Sequence, residues 1–503
     1  EGFSDAECVS AIEHASRNVE PSAPVRVSFV AGSLAEFQVK AARCIELLDA
    51  RAASDTSFAL TPDGVAVGTG TAGEVGLVFP GQNARWIRAL PAVDRGIADG
   101  DGWITAAVLG LDGAAGLGGT GTDLAQPLIA ASSFAGLGCL TALGVRAHAA
   151  VGHSLGELVA LAWAGYLEPV EMMRLIQARG RVMHRHGPRE TGMVALDVDA
   201  PTATALLAES RLTRCEVAAV NSNTQVVVGG PRDELYQLAE FARRRRFAAR
   251  HLSVPHAFHT ADMLPAAREF APILDKQRWQ APNRRRTVIS TVSGAALDAQ
   301  VDVAGLLRDQ LASPVRFSEA SEALAAQVSL VLEVGSDGGL AELLYNSTGI
   351  PAVQLSIGGD RRALAEAVSA LFALGQLKEP AAWWATAAPP YWSFEQQPQL
   401  LTNPTGVVAA GRANESRPAT SGGLPASANT VEAGEDGDGA FGDEPVIESS
   451  RIPQVRSREV VTEPEALAAL VGAVAEFTGF KLGSITGGLR FSSDLRLNSL
   501  QVN

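Results

Sequence analysis

Cysteine is scarce in this chain. The four present, Cys8, Cys44, Cys139 and Cys215, lie far apart in 503 residues, with no C-x-x-C pair and no metal-ligand spacing. That argues against a disulfide scaffold or zinc module and suits free, mostly buried thiols in a reducing cytosol, so a cytoplasmic location is expected. Positive charge is also short. The 41 Lys and Arg against 55 Asp and Glu leave a net charge of −14, which argues against an overall nucleic-acid or anionic-membrane binder. No basic segment followed by an apolar run opens the chain, so no signal peptide is expected. The first residue is not Met, and the opening EGFSDAEC reads as the interior of a longer protein. The longest apolar stretch, 127–151, is rich in Ala, Gly and Ser and is interrupted by Arg146 and His148. A buried helix running into a buried strand accounts for it better than a membrane span. No internal repeat is present.

What remains is the composition of a globular protein, 47% hydrophobic and 19% charged, in a chain long enough for about two to four units. Residues 25–52 read as a strand (VRVSFVAG) and an amphipathic helix with Ser33 as its N-cap. A buried strand follows at EVGLVFPG, 74–81. Helices at 125–143, 155–165 and 168–184 then alternate with strands at 148–152, 287–294 and 330–336. Inside that frame, residues 192–254 carry a β-α-β-β-α-β rhythm, the order of a ferredoxin-like sandwich. The predicted fold class is α/β: an α/β-hydrolase-like large subdomain with a parallel sheet, an inserted ferredoxin-like small subdomain and a preceding α/β linker subdomain. After Pro380 the pattern changes. Residues 381–397 are rich in Trp, Ala and Pro and read as a strap laid on a surface. Residues 405–460 are acidic and poor in large apolar groups, hence disordered. Within 463–503, helical periodicity returns in EPEALAALVGAVAEFTGF and then stops.

The chemistry centres on Gly152-His153-Ser154-Leu155-Gly156, a Gly-x-Ser-x-Gly at a strand-to-helix junction. Such a turn projects the serine Oγ from the top of a sheet and sets the Leu155 N–H at a helix N-terminus, where a developing oxyanion is favoured. The base is expected among the histidines of Val254-Pro255-His256-Ala257-Phe258-His259, either His259 or His256, with no carboxylate suitably spaced to complete a triad. Arg179, 25 residues beyond the serine, is the third candidate, because a guanidinium fork can bind a carboxylate through two hydrogen bonds. On these residues alone, a hydrolase and an acyltransferase both stand.

Taken together, Val78-Phe79-Pro80-Gly81-Gln82, Gln126-Pro127, the serine motif through Glu157, Arg179, Asn221-Ser222, His256 to His259 and Leu332-Glu333-Val334-Gly335 resemble the malonyl-CoA:acyl-carrier-protein acyltransferases. The resemblance runs over roughly residues 25–400 and is greatest to the acyltransferase domains of type I polyketide synthases. It implies Ser154 as nucleophile and His259 as its base, oriented by a backbone carbonyl near Pro314-Val315-Arg316-Phe317. It implies the Gln82 and Leu155 N–H groups as the oxyanion hole and Arg179 as the partner of the malonyl carboxylate. Gln126, His256, Phe258 and Asn221 are implied to line the substrate pocket. No bound cofactor or metal is implied; malonyl-CoA is the substrate and a phosphopantetheine thiol on an acyl carrier protein the acceptor. The His-Ala-Phe-His form and Leu155 are similar to malonyl-selecting members, with Phe258 filling the space of an α-methyl group. Asn83 departs from the family's glycine after Gln82, Pro255 stands where Ser or Gly is usual, and the Gln82–Ser154 stretch is short.

The same resemblance divides the chain. Residues 1–74 correspond to a ketosynthase-to-acyltransferase linker, 75–190 and 256–380 to the large subdomain, and 191–255 to the small one. Residues 381–404 then match a post-acyltransferase linker, 405–460 a disordered acidic linker, and 461–503 the truncated start of an acyl carrier protein. Its Asn498-Ser499-Leu500 places Ser499 at the phosphopantetheine position, and this order is similar to the iterative enediyne synthases. The expected partners are the carrier protein, a CoA thioester, and the ketosynthase and other domains of one synthase. The arginine runs 243–246 and 284–286 read as solvated faces or as docking points for an acidic carrier. An esterase or thioesterase, and a catalytically silent docking module, are the alternatives.

Overall fold

The computed structural model describes residues 19–51, 57–82, 84, 101–114, 121–357, 361–380 and 383. All belong to a compact unit, Glu1–Trp392. The strap except Trp383, the acidic linker, the carrier-like segment with Ser499, and Asn83 lie outside the described residues.

The first sheet is small and antiparallel: β1 (Val25–Ser28), β2 (Phe58–Leu60) and β3 (Ala66–Thr69), in the order β1-β3-β2. The helix Leu34–Arg51 begins as expected. Ser33 Oγ accepts the Glu36 N–H at 3.1 Å, which satisfies one orphan donor of the first turn, and the Glu36 carboxylate accepts the N–H of Gly32, just ahead of the cap, at 2.8 Å. Buried Arg26 on β1 donates to the carbonyls of Ala373 (3.1 Å) and Gly70 (3.3 Å). It thereby fastens this sheet to the helix Arg361–Leu374, an element the sequence reading did not anticipate.

The second sheet opens with β4 (Val75–Phe79) and β5 (Ala149–Gly152), both buried along their whole length. Strands apolar on both faces belong in a parallel sheet covered by helices. The helix Thr122–Ala142 covers it; by length and composition it could cross a membrane, but it is almost wholly buried here. The chain then leaves for β6 (Thr191–Leu196), β7 (Glu216–Ser222), β8 (Gln225–Pro231) and β9 (Ala249–His251), with helices Ala200–Ser210 and Arg232–Arg244 between them. It returns through β10 (Thr287–Ser290), β11 (Ala295–Ala296), β12 (Val315–Arg316), β13 (Leu330–Gly335) and β14 (Ala352–Ser356). The large sheet has the order β11-β10-β5-β4-β13-β14, parallel except for the β10–β11 hairpin.

The small sheet runs β12-β7-β8-β6-β9. Its four inserted strands pair antiparallel in the ferredoxin-like order. The fifth is a finding. β12 comes from the stretch expected to belong wholly to the large subdomain, yet it pairs parallel with β7 through Val315↔Ala219 and Arg316↔Val220.

Alternation sorts the small sheet's two faces. Val194, Leu196, Val226 and Val228 join Leu206, Leu235 and Leu238 of the two helices in a core of their own. The opposite face offers Met193, Ala195, Ala219 and Val227, which pack into the main core. Period two therefore builds one sheet with two cores and sets its small-residue face toward the large subdomain.

Candidate active site

Ser154 lies between β5 and the helix Leu155–Ala164 with φ 55° and ψ −108°, a conformation that non-glycine residues rarely hold. The flanking glycines make the turn possible. A Cβ on Gly152 would lie 2.0 Å from the Glu157 nitrogen, and one on Gly156 would lie 2.1 Å from the Phe79 carbonyl of β4. The turn thus drops its helix directly onto the sheet and lifts the Ser154 side chain off it. Leu155 is the first helical residue, so its N–H belongs to the open N-terminal turn.

His259 also has a positive φ, 62°, and is buried. Its Nε2 sits 2.7 Å from Ser154 Oγ. Its Nδ1 donates to a backbone carbonyl at 2.9 Å, which fixes the tautomer that leaves Nε2 free to accept the serine proton. Burial, and then the charge of Arg179, hold the imidazole pKa down to about 3, so the ring is neutral at ordinary pH. The carbonyl belongs to Gln310. The expectation of a tether within Pro314–Phe317 is therefore corrected: the helix Val303–Gln310 ends beside the histidine, and the expected stretch instead forms β12 and begins the helix Phe317–Ala325. His256, the other histidine of the motif, donates its Nδ1–H to the Pro188 carbonyl at 3.0 Å and packs edge-on against Phe258.

Arg179 lies on the helix Pro169–His186, whose other buried members are mostly aliphatic or methionine. Only 1% of it is exposed. Its Nη2 donates to Ser154 Oγ at 3.2 Å and to Gln310 Oε1 at 3.1 Å. Its Nε is buried with no partner. An unpaired guanidinium donor in the interior costs about 1–3 kcal/mol or more, and an anion would relieve that cost. Burial lowers the guanidinium pKa to about 10, with Glu157 opposing, so it stays charged.

Ser154, His259 and Arg179 are therefore brought into direct contact, whereas the other expected residues stand around them. Gln82 donates its Nε2 to Thr122 Oγ1 (3.0 Å) and accepts from Gln126 Nε2 (3.3 Å), which ties the loop after β4 to the helix Thr122–Ala142. Asn221 of the small sheet accepts from His153 at 3.0 Å and donates to Gln225 at 2.9 Å, linking the serine turn to β7 and β8. Buried Glu333 accepts the N–H groups of Gly338 (2.7 Å) and Ala341 (2.9 Å), its pKa raised to about 7 by burial. Among the described residues no group of three or more His, Cys, Asp or Glu gathers for a metal.

Sequence reasoning missed Gln310. Its carbonyl holds His259, its Oε1 accepts from Arg179, and its Nε2 donates to the Ser154 carbonyl (3.1 Å) and to Glu157 (2.8 Å). No local pattern marks a glutamine at the last residue of a short helix.

A family model described as "Acyl transferase domain" matches residues 81–336, and that span holds Ser154, His259, Arg179 and Gln310. Polyketide synthase GfsA of Streptomyces halstedii is 34% identical over 223 residues, 44% of this chain and 3% of the relative. The chain thus spans a small fraction of the curated relative it matches. A crystal structure of the acyltransferase domain of the iterative polyketide synthase in enediyne biosynthesis is similar at a TM-score of 0.62 and 31% identity, over 76% of this chain and 92% of that one. The acyl-carrier-protein S-malonyltransferase of Burkholderia pseudomallei follows at a TM-score of 0.51 and 26% identity, over 59% of this chain and 99% of that one.

Proposed function

The chain belongs to the acyl transferase domain family, as an acyltransferase domain of the polyketide-synthase kind, and from that premise we propose that it moves a malonyl group from malonyl-CoA to a carrier-bound phosphopantetheine thiol. The reading rests chiefly on Arg179: a buried guanidinium with an unpartnered Nε, 3.2 Å from the serine Oγ. A malonyl thioester offers a carbonyl at one end and a carboxylate at the other. With the carboxylate on Arg179, the carbonyl is held against Ser154, which replaces a random encounter with a fixed geometry.

Ser154 Oγ attacks the thioester carbon while His259 Nε2 takes its proton. The C–S bond then breaks, the proton passes from His259 to the leaving CoA thiolate, and malonyl-Ser154 remains. N–H groups of Leu155 and Gln82 serve the oxyanion. A phosphopantetheine thiol reverses the sequence, its proton going to His259 and the acyl group leaving serine, so the kinetics are ping-pong. Phe258, next to the base, limits room at the α-carbon and favours malonyl over methylmalonyl. Residues 1–74 are read as the linker from a ketosynthase, and residues 461–503 as the start of a carrier domain.

Intact mass after brief mixing with malonyl-CoA tests this. One malonyl adduct is expected on the wild type and none on Ser154→Ala. Immediate release of free malonate without an adduct, or an adduct that survives Ser154→Ala, overturns it.

A further inference from the structure

Glu157 occupies the first turn of the helix Leu155–Ala164, and its exposure is 0%. A first-turn acid usually faces solvent and interacts with the helix dipole. This one is interior, and the chemistry above does not use it. Its Oε2 accepts from Gln310 Nε2 at 2.8 Å and from Thr291 Oγ1 at 3.0 Å.

The amide of Gln310 has one donating side and one accepting side. The NH2 group spans the Glu157 carboxylate and the Ser154 carbonyl, while the oxygen accepts from Arg179 Nη2. Turning the amide over would set its oxygen against two acceptors and its NH2 against a guanidinium, and all three contacts would be lost. The carboxylate, together with the Ser154 carbonyl, therefore holds the NH2 side of the amide, and the amide oxygen decides what Arg179 Nη2 meets. Direct pairing of Glu157 with Arg179 would occupy the guanidinium. At one amide's remove the acid orders the site without taking the place of a ligand; burial pushes its own pKa up, and its ionised form favours the cationic form of Arg179.

We propose that Glu157 is a positioning residue for diacid selection: through Gln310 it anchors Nη2 of Arg179 and keeps the Nε side of the fork available for the substrate carboxylate. The inference rests on the carboxylate-clamp reading of Arg179. It predicts a change in the choice between acyl groups, which a merely structural residue would not produce.

The test is the ratio of malonyl to acetyl loading on Ser154, from malonyl-CoA and acetyl-CoA at equal concentration, by time-resolved intact mass on the full chain. Glu157→Gln keeps an acceptor oxygen, and the ratio should stay within about threefold of wild type. Glu157→Met removes the acceptor at similar volume, and the ratio should fall about tenfold or more. An unchanged ratio in Glu157→Met, whether the two rates hold or fall together, overturns the proposal, and so does an equal fall in both variants. If Glu157→Met does not fold, Gln310→Met carries the same test, because its backbone carbonyl remains for His259; an unchanged ratio there overturns it as well. Arg179→Ala separates the two levels. Retention of malonyl preference in that variant sinks the clamp itself, whereas its loss there, with an unchanged ratio in Glu157→Met, sinks only the role of Glu157.

Discussion

The two sheets build their interiors from different materials. The small sheet's own core is aliphatic, with Val194, Leu196, Val226, Val228 and Leu238 in contact and arginines kept outside in surface pairs such as Arg214–Glu234 and Arg243–Glu240. Beside the end of β5 in the large sheet, by contrast, Arg179, Glu157, Gln310, Ser154 and His259 are all buried within one hydrogen-bonded network. Two of its atoms, Arg179 Nε and Glu157 Oε1, are left without partners. An apolar core needs only shape, and a satisfied polar one adds rigidity. An unmet buried donor such as Arg179 Nε costs stability until a partner satisfies it. On the proposed reading, the contrast makes the small subdomain chiefly a wall and assigns selection to the large one.

The largest effect is expected where that network is cut. Arg179→Ala should lower the malonyl-to-acetyl loading ratio by about a thousandfold, the scale of a charge-assisted contact removed from a buried site. An intact ratio in that variant breaks the comparison. Leu238→Ala in the small core should lower unfolding free energy by about 2–5 kcal/mol, read by denaturant titration, and leave the ratio unmoved. A shifted ratio there would make the wall a participant. Phe258→Ala should raise methylmalonyl loading relative to malonyl by about tenfold, since one methyl group is worth about 1–3 kcal/mol in a pocket. The smallest change is expected from pH. A free histidine charges near its ordinary value, and a base that must be neutral then fails below it. His259 is depressed to about 3, so it stays neutral down to far lower pH. Loading in stopped-flow should therefore be flat from about pH 8 to about pH 5.5. An inflection near the ordinary histidine value would contradict the burial of the base.

Much of this was legible beforehand because it is written in local patterns. Gly152 and Gly156 announce a turn, and the structure gives them close contacts with Glu157 and Phe79. Apolar runs at 74–81, 148–152 and 330–336 became β4, β5 and β13. The β-α-β-β-α-β rhythm over 192–254 became β6 to β9 with their two helices. What escaped notice depends on relations across long separations. Gln310 acts through a carbonyl every residue has and an amide whose value comes from three neighbours, one of them 156 residues away. Glu157 resembles any acid in a first helical turn, and only tertiary packing shows that it is interior. β2 and β3 are three and four residues long, too short for a periodic signal, and they pair with each other.

β12 has a bearing on exchange of parts. Residues 191–255 invite transplantation as a cassette, since both ends leave and re-enter the large sheet. Hydrogen bonding draws the border elsewhere. Val315 and Arg316 lie 60 residues past that cassette in sequence, yet they form its edge strand beside Ala219 and Val220. The segment they belong to begins five residues after the carbonyl that orients His259. A graft cut at 255 would therefore leave one rail of a two-rail ladder behind, on the same strip of chain that holds His259. A cassette that travels whole has two pieces, and the second includes Val315–Arg316.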